Sequence, residues 1–433
     1  MRFPGRRKHR HYFPVEKKDP VTNKIKVDGK LKHPYVVGMD QTIVDIEAHV
    51  SRELLDQFNL KIGLSQLVSS ELAEELYRFI FENDLIVDQH AGGTIGNTMH
   101  NYSVLADDRS VLYGVMSENI KVGNYAYRYL CNTSSRVDLQ HLQPVDGPIG
   151  RAFTLITEDG ERTFAIDSGV MNKLTPEFID EDLIKNASSF VVSAYFTRCS
   201  EGDTLDQAAM QAIEYANKHQ VPVVLTLGTR FMIDEKPEWW RDFIKKHVQV
   251  LAMNEEEAEA LVGTKDPLLA AEKALELADL VLCTAGPQGL YMAGYTDKEF
   301  RRKTQYPLLP GSISEFNKYE FSRPLLKQNC KAPIKIYSHI APYMGGPDEI
   351  KNTNGAGDGA LAAVIHDITA NVFHKLNVPE SSKHAIPAIS YSSLAQICKY
   401  ANRVSFEVLS QSSPRLSKGL PDREDSLESA YWH

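Results

Sequence analysis

Four short apolar runs in the middle of the chain restrict its fold more than any other feature. They are rich in β-branched residues and occupy positions 188–196, 221–228, 248–254 and 279–286. Runs that are apolar at consecutive positions are typical of parallel strands covered by helices on both faces. Between them lie three segments of helical pattern, at 205–220, 255–263 and 267–278. Strand and helix repeat at intervals of roughly thirty residues, which predicts an α/β protein with a doubly wound parallel sheet.

A second pattern, nearer the N-terminus, predicts a smaller sheet. Residues 149–166 form two runs of alternating apolar and polar residues around a turn at 158–161. This arrangement is typical of an antiparallel hairpin. We therefore expect a small β-sheet lid beside the α/β body, drawn mainly from 43–60 and 120–175.

The sequence divides into one large domain with two terminal appendages. Residues 1–34 are polar and punctuated by Pro and Gly, which predicts an extension with little core of its own. The domain is expected over 35–410, and it begins with a short strand, a turn at Gly38 and a second strand. Residues 296–335 are charged and contain Pro, so they are interpreted as an insertion. The segment 411–433 is expected to be an acidic C-terminal tail.

The overall composition argues against several classes of protein. A formal net charge of −9 is unusual for a nucleic-acid-binding protein, and the basic stretch 5–11 is interpreted as a solvated arm. No segment approaches the roughly 18 consecutive apolar residues of a membrane-spanning helix, and no signal peptide is visible. The five cysteines lie far apart without a C-x-x-C pair, as in a reducing compartment. We therefore expect a cytoplasmic protein with neither a membrane nor a nucleic acid as partner.

The stretch 352–365, NTNGAGDGALAAVI, places glycines and an acid directly before a long apolar run. Glycine costs roughly 1 kcal/mol relative to alanine inside a helix, so glycines here indicate backbone N–H groups that approach a ligand. Such groups at a helix N-terminus favour an anion such as phosphate. The predicted anion hole comprises Gly355, Ala356 and Gly357. Asp358 is a candidate to accept a proton from an attacking hydroxyl, and the alternative is that it only caps the helix.

A similar motif occurs at 91–106, where Gly92 and Gly93 precede Asn97 and a helical pattern. Bare glycine backbone and a side-chain amide would suit a sugar with several hydroxyl groups. The alternative is an ordinary glycine turn that is capped by Thr94.

Polar residues also follow two of the predicted parallel strands. Asn254 ends one strand and Glu257 lies three residues further on, whereas Thr284, Gly286 and Gly289 follow the next strand. Ligands of open α/β sheets bind beyond the carboxyl ends of the strands. Ordinary turn chemistry is the alternative for each residue taken singly, because Asn, Thr and Gly are common in turns.

Taken in order, these motifs resemble those of one family, the ribokinase-like sugar and purine-nucleoside kinases. The order is an Asp after the first strand, then GG-x-x-x-N, N-x-x-E, T-x-G-x-x-G and finally NTNGAGD. The resemblance covers about residues 35–410. Within the family, segments 97–112 and 338–347 and the long insertion are similar to the bacterial inosine-guanosine kinases.

The resemblance implies roles for individual residues. The segment GMDQTIVDIEAHV is similar to the first strand of adenosine kinases, which implies that Asp45 binds ribose hydroxyls, with Asp40 as the competing candidate. The segment 160–164 resembles a lid strand, and 400–409 resembles the helix on the nucleotide side. The implied substrate-binding residues are Asp45, Gly92, Gly93 and Asn97. The implied ATP-binding residues are Asn254, Thr284, Gly286, Gly289 and Asn402.

The fold implied by the resemblance is a Rossmann-like body with a β-sheet lid. The implied activity is phosphate transfer from ATP to the 5′-hydroxyl of inosine or guanosine in purine salvage. Asp358 would be the catalytic base, and Asn254 with Glu257 would organise Mg²⁺ through water. A K⁺ ion near the anion hole is a family expectation, and a homodimer is compatible with the resemblance.

One position departs from the family pattern. Asn352 stands where the family usually has an Asp that is thought to help hold the metal-phosphate water network. Two alternatives to an inosine-guanosine kinase stay open, namely an adenosine or sugar kinase of the same family and a non-catalytic nucleotide-binding relative. The retained Asp358 argues against the non-catalytic relative.

Overall fold

The computed structural model describes residues 32–106, 108–122, 124–304 and 312–420. Most of the predicted N-terminal extension, including its basic arm, and the last part of the predicted tail lie outside the described residues. The strands are β1 Val36–Met39, β2 Ile43–His49, β3 Ser65–Leu67, β4 Ile86–Ala91, β5 Ser110–Ser117, β6 Val137–Asp138, β7 Leu142–Val145, β8 Gly150–Ile156, β9 Arg162–Asp167, β10 Phe190–Ser193, β11 Val223–Thr226, β12 Val250–Asn254, β13 Leu280–Thr284, β14 Leu290–Asp297 and β15 Pro333–Ile340. The helices are α1 Arg52–Gln57, α2 Ser70–Glu82, α3 Thr94–Ala106, α4 Tyr125–Cys131, α5 Glu181–Lys185, α6 Leu205–Lys218, α7 Arg230–Glu235, α8 Pro237–His247, α9 Glu255–Val262, α10 Pro267–Ala274, α11 Ala356–Asn377 and α12 Leu394–Leu409.

A large sheet forms the body of the described structure, in the order β15-β14-β13-β12-β11-β10-β1-β5-β6, with β7 paired to β5. The strands from β13 through β5 in this order are parallel, and β14 and β15 join antiparallel at one edge. The four apolar runs of the sequence are β10 to β13, and the helical patterns between them are α6, α9 and α10. The prediction of a doubly wound parallel sheet is therefore confirmed.

A second sheet, in the order β3-β9-β8-β2-β4, forms the lid. The predicted hairpin is β8 with β9, and its turn is closed by hydrogen bonds from Thr157 N to Glu161 O (3.0 Å) and from Gly160 N to Thr157 O (2.8 Å). β6 and β7 were expected in this lid but pair with β5 in the large sheet. The reason is that β5 is buried along its whole length and needs hydrogen-bond partners on both edges.

The predicted turn at Gly38 is wrong. β1 runs through Gly38, and the chain leaves the strand only at 40–42. A Cβ atom at Gly38 would lie 2.7 Å from Ile95 Cγ2 and 2.8 Å from Met99 Cγ. The glycine is therefore needed because α3 packs closely on β1, and a close approach of this kind leaves the same sequence signal as a turn.

The long helix α11 crosses the body between α3 and α12, and most of its residues are buried. The described part of the predicted C-terminal tail, 411–420, also packs against the domain, since Arg415 and Leu416 are only 4% and 3% exposed. The domain boundary expected at residue 410 is therefore placed too early. The predicted insertion connects β14 to β15. None of the described helices is long and apolar enough to cross a membrane.

Candidate active site

Three carboxyl groups meet where β1 ends, where β2 begins and where α11 begins. Asp40 follows β1, Asp45 lies on β2 and Asp358 lies in the first turn of α11. Asn97, in the first turn of α3, donates from Nδ2 to Asp358 Oδ2 at 3.1 Å. The structure thus brings together the glycine motif that contains Asn97 and the glycine motif that contains Asp358, although these two residues are 261 positions apart in the sequence.

Asp358 does not cap its helix. The N-cap residue of α11 is Gly355, which has a φ of +81°. The carboxylate of Asp358 faces Asn97 instead. The interpretation of Asp358 as a plain helix cap is therefore wrong. Burial raises the pKa of Asp358 to about 7, with further increases from Asp40 and Asp45, against the hydrogen bond from Asn97.

The predicted anion hole contains two glycines of different kinds. Gly355 needs its left-handed backbone, and a Cβ atom there would collide with Pro414. A Cβ atom at Gly357 would meet nothing within 4 Å. Packing therefore explains Gly355, whereas Gly357 leaves open space in front of the helix N-terminus, as an anion site requires.

The structure distinguishes the two candidate ribose-binding acids. Asp40 is buried, and its Oδ2 accepts a hydrogen bond from Gly96 N at 2.7 Å. Among the described residues, none donates a hydrogen bond to the Asp45 carboxylate. Burial raises the pKa of Asp45 to about 6. Asp45 is therefore the acid with acceptor capacity left for a ligand, as the sequence interpretation prefers.

The carboxylates also explain the glycine pair at the start of α3. A Cβ atom at Gly92 would collide with the carboxylate of Asp45. At Gly93, which has a φ of +86°, a Cβ atom would collide with Asp40. Any larger residue here would displace the two acids.

The sequence interpretation missed one charged residue of this site, Arg415. Its guanidinium donates to Asn97 Oδ1 (2.9 Å), to Thr133 Oγ1 (2.7 Å), to the Gly92 carbonyl (3.0 Å) and to the Asn132 carbonyl (3.3 Å). Arg415 belongs to the segment that was interpreted as a tail. Because a single arginine among serines and a proline has no periodic pattern, the local sequence contained no signal for this position.

On the other side of the site, Asn254 and Glu257 hold each other. They form a capping box at the start of α9, in which Asn254 N and Nδ2 both donate to the Glu257 carboxylate at 3.0 Å. Glu257 is 4% exposed, and burial raises its pKa to about 7. Thr284 lies next to Asn254 because β12 and β13 pair in that register. The alternative of ordinary turn residues is thus partly met, because Asn254 caps α9. The same capping box fixes the buried Glu257 carboxylate just beyond the end of β12.

The remaining residues predicted to bind the nucleotide differ in how strongly the surrounding structure constrains them. Gly289 has a φ of +93°, and a Cβ atom there would collide with the Ile340 carbonyl. Asn402 donates from Nδ2 to the Ala341 carbonyl at 2.7 Å. Both residues therefore have structural tasks. A Cβ atom at Gly286 would meet nothing within 4 Å, but its φ of +43° still favours glycine.

Tyr195 connects the two sides of the site. Burial raises the pKa of its hydroxyl to about 12, with smaller increases from Glu257, Asp358 and Asp40. The hydroxyl donates to the Gly228 carbonyl at 3.2 Å. Carboxyl groups of the acidic cluster and of the capping box thus both lie close enough to influence this one side chain.

Asn352, the departure from the family pattern, holds two chain segments together. Its Nδ2 donates to the Ser412 carbonyl at 2.6 Å, and its Oδ1 accepts from Asn354 N at 2.8 Å. An aspartate could not donate the first of these bonds. Within the described residues, no group of three or more His, Cys, Asp or Glu side chains is arranged to hold a metal ion.

Comparison with known proteins identifies relatives of this chain. A profile of the pfkB family carbohydrate kinases matches residues 89–308. The guanosine-inosine kinase of Escherichia coli strain K12 is 62% identical over 432 residues, an alignment that covers 100% of both chains.

Solved structures share the fold. Adenosine kinase from Sinorhizobium meliloti superposes with a TM-score of 0.63 at 20% identity, and the match covers 92% of this chain and 98% of that chain. Arabidopsis thaliana ribokinase, solved with ribose and ATP, superposes with a TM-score of 0.55 at 16% identity, covering 93% and 100%. The predicted fold class, a doubly wound body with a β-sheet lid, is confirmed.

Proposed function

Because this chain belongs to the pfkB family of carbohydrate kinases, we propose that it transfers the γ-phosphoryl group of ATP to the 5′-hydroxyl of inosine and guanosine. The observation that carries the proposal is the 62% identity to a guanosine-inosine kinase over the whole of both chains. The site supports the same chemistry. It combines the Asp45 carboxylate, which keeps acceptor capacity, with the partly buried Asp358 and the open N-terminus of α11.

Asp45 is proposed to hold the nucleoside. Its carboxylate can accept hydrogen bonds from two ribose hydroxyls, and Gly92 leaves bare backbone beside it, as Gly93 does beside Asp40. The Asn97 amide, next to Asp358, would lie beside the sugar. The ribose is thereby oriented so that its 5′-oxygen faces Asp358.

Asp358 is proposed to be the general base. The 5′-hydroxyl proton passes to its carboxylate while the 5′-oxygen forms a bond to the γ-phosphorus and the bond to ADP breaks. The transferred group is only loosely bonded in the transition state, so a carboxylate is basic enough to accept the proton. The N–H groups of Gly355, Ala356 and Gly357 and the dipole of α11 would stabilise the phosphoryl oxygens.

The lid and the nucleotide side complete the proposed mechanism. The β-sheet lid would exclude water that otherwise hydrolyses ATP. Thr284 and Gly286 are proposed to contact the nucleotide, and Gly289 and Asn402, which both contact the segment 340–341, are proposed to shape the loop beside it.

Mg²⁺ is proposed as the accompanying ion. It prefers oxygen ligands and keeps several waters, and the buried Glu257 carboxylate with the Asn254 amide fits a contact through water. When bound, Mg²⁺ neutralises charge on the phosphates. K⁺ near the anion hole is proposed from the resemblance, although neutral Asn352 supplies less negative charge there than an aspartate would.

A panel of acceptors tests the proposal. We expect inosine and guanosine to be phosphorylated with kcat/KM at least about tenfold above adenosine, because polar groups that pair with O6 and N1–H are left unpaired by adenine. Ribose and a reaction without acceptor serve as controls for a sugar kinase and for ATP hydrolysis. Equal rates for adenosine would contradict the specificity, and no transfer to any nucleoside would contradict the proposed function.

A further inference from the structure

A segment that follows α12 holds one buried cation in the candidate active site. Residues 414–416 lie along α3, where Leu416 N donates to Asn101 Oδ1 (2.7 Å) and Asn101 Nδ2 donates to the Pro414 carbonyl (3.1 Å). His100 Nδ1 accepts from Ser134 N at 3.0 Å, so its Nε2 is the donor to the Leu416 carbonyl at 2.9 Å. The position of Arg415 is therefore set by a docked backbone.

The hydrogen bonds of Arg415 fix the orientation of the Asn97 amide. A guanidinium can only donate, so the Asn97 atom that faces Arg415 Nε must be the oxygen. The Asn97 NH₂ group must then face Asp358, to which it donates at 3.1 Å. With the opposite orientation, the Asn97 oxygen would face the carboxylate and repel it.

We propose that Arg415 is a positioning residue for phosphoryl transfer, because it holds the Asn97 amide in the orientation that directs its N–H group to Asp358. The inference rests on the proposed function, in which Asp358 is the base. Arg415 also ties the Gly92 carbonyl and the end of α4 to the same point, so the nucleoside side of the site closes around it.

Charge supports this assignment. Among the residues that the structure describes, the charged and titratable groups near Asp358 are Asp40, Asp45, Tyr195 and Arg415. The pKa of Asp358 is raised by burial and by the two other acids, and it is lowered by the Asn97 hydrogen bond and by Arg415. Loss of the arginine therefore removes its positive charge and releases the amide, and both changes favour protonated Asp358.

A second buried arginine offers a matched control. Arg323 is 8% exposed, and its guanidinium donates to Asn371 Oδ1 (2.9 Å), the Lys383 carbonyl (2.8 Å) and the Ser390 carbonyl (2.5 Å). It thus resembles Arg415 in burial and in hydrogen bonding, including a bond to an asparagine. None of these partners belongs to the candidate site.

The test compares Arg415→Met, Arg415→Lys and Arg323→Met in the full chain. For Arg415→Met we expect kcat for inosine to fall on the order of 10- to 100-fold near neutral pH, less than for loss of the base itself. The acid limb of the kcat profile should move to higher pH, with KM for ATP near that of the wild type. Arg415→Lys keeps the charge and should return the acid limb toward the wild-type position. Arg323→Met should lower Tm and leave the acid limb in place.

A double-mutant cycle tests the relay through Asn97. Arg415→Met and Asn97→Ala should be non-additive, because either change releases the contact to Asp358. An acid limb that Arg415→Met moves no more than Arg323→Met does would overturn the proposal, as would additive effects on kcat. If the wild type phosphorylates no nucleoside, the proposed function fails separately. The ¹³C signal of the Asp358 carboxyl, titrated in the wild type and in Arg415→Met, then still decides whether Arg415 acts on that group.

Discussion

Two buried arginines make similar hydrogen bonds around the long helix α11. Arg323 contacts Asn371 within the helix, and Arg415 contacts Asn97, which lies against the first turn of the helix. The difference lies beyond the asparagine. Asn371 donates onward to the Ala388 carbonyl, which cannot change its charge, whereas Asn97 donates to the Asp358 carboxylate. An arginine bonded to an asparagine thus supports packing alone at Arg323, whereas at Arg415 the asparagine also contacts an ionisable carboxyl group.

The acids near the two arginines are also used differently. Asp367 is fully buried, and burial raises its pKa against the hydrogen bonds that it accepts, one of them from Ser392 N at 2.9 Å, and against the positive charge of Arg323. Asp358 and Asp45 are only partly buried and face the open part of the site. Asp367 Oδ2 likewise has no hydrogen-bond partner among the described residues, so what sets Asp358 and Asp45 apart is that they are only partly buried.

The largest expected effect tests whether Asp358, which the Arg415–Asn97 pair contacts, is a catalytic base or only a packed side chain. Asp358→Asn keeps the size of the side chain and removes the base, so kcat should fall by about 10²–10⁴. Tm and nucleoside affinity should stay near wild type, since Asp358 does not cap α11. Steady-state kinetics with calorimetric binding provide the measurement. A kcat within about fivefold of wild type would reject the catalytic role.

The next effect distinguishes Asp40, which precedes the lid, from Asp45, which lies on the lid strand β2. Asp45→Ala should cost roughly 2–4 kcal/mol in kcat/KM for inosine, since hydrogen bonds to a charged group are lost, with little change for ATP. Asp40→Ala is the control, because it leaves Gly96 N without its acceptor and should lower Tm. The assignment would be reversed if Asp45→Ala were silent and Asp40→Ala abolished nucleoside use.

A smaller effect follows from the acidity of the cluster. The pKa of Asp358 is raised to about 7, and a general base must be unprotonated in the free enzyme. For the wild type, kcat/KM should therefore fall as the pH decreases through about 7, approaching tenfold for each further pH unit. A kcat/KM that stays constant down to the ordinary pKa range of aspartate would contradict this account.

The smallest effect contrasts the two glycines at the start of α11. Gly357→Ala meets no atom within 4 Å and should stabilise the helix by up to about 1 kcal/mol, while it lowers kcat through crowding of the phosphoryl group. Gly355→Ala should lower Tm, because of its φ of +81° and the contact with Pro414. Thermal melts and kinetics of both variants check the contrast. Unchanged kcat in Gly357→Ala would speak against an anion hole.

Much of the fold could be predicted because its signals are local. The β-branched runs of β10 to β13 reflect burial on both faces, and that pattern is visible within each run. The places of β6 and β7 could not be predicted, since they depend on which edge of β5 lacks a partner. Gly38 was misinterpreted because a close helix contact and a turn favour the same residue.

The site shows the same division between local and distant information. Asp358 and its glycines form one contiguous motif, so the sequence predicts them together. Arg415 could not be predicted, because its Asn97 partner lies 318 residues away and the two meet only after α3 and the C-terminal segment have packed. The roles of Asp45, Asn254, Thr284 and Asn402 stay predictions that the experiments above address.

The central claim is that the fold holds Asp358 as a base, and a titration of that carboxyl tests it most directly. The protein would be labelled with ¹³C at the aspartate carboxyls, and Asp358→Asn would assign the signal. We expect the Asp358 resonance to titrate with a pKa of about 7, because burial and the two neighbouring acids raise it. A resonance that titrates in the ordinary range of aspartate, at about 4, would contradict the account.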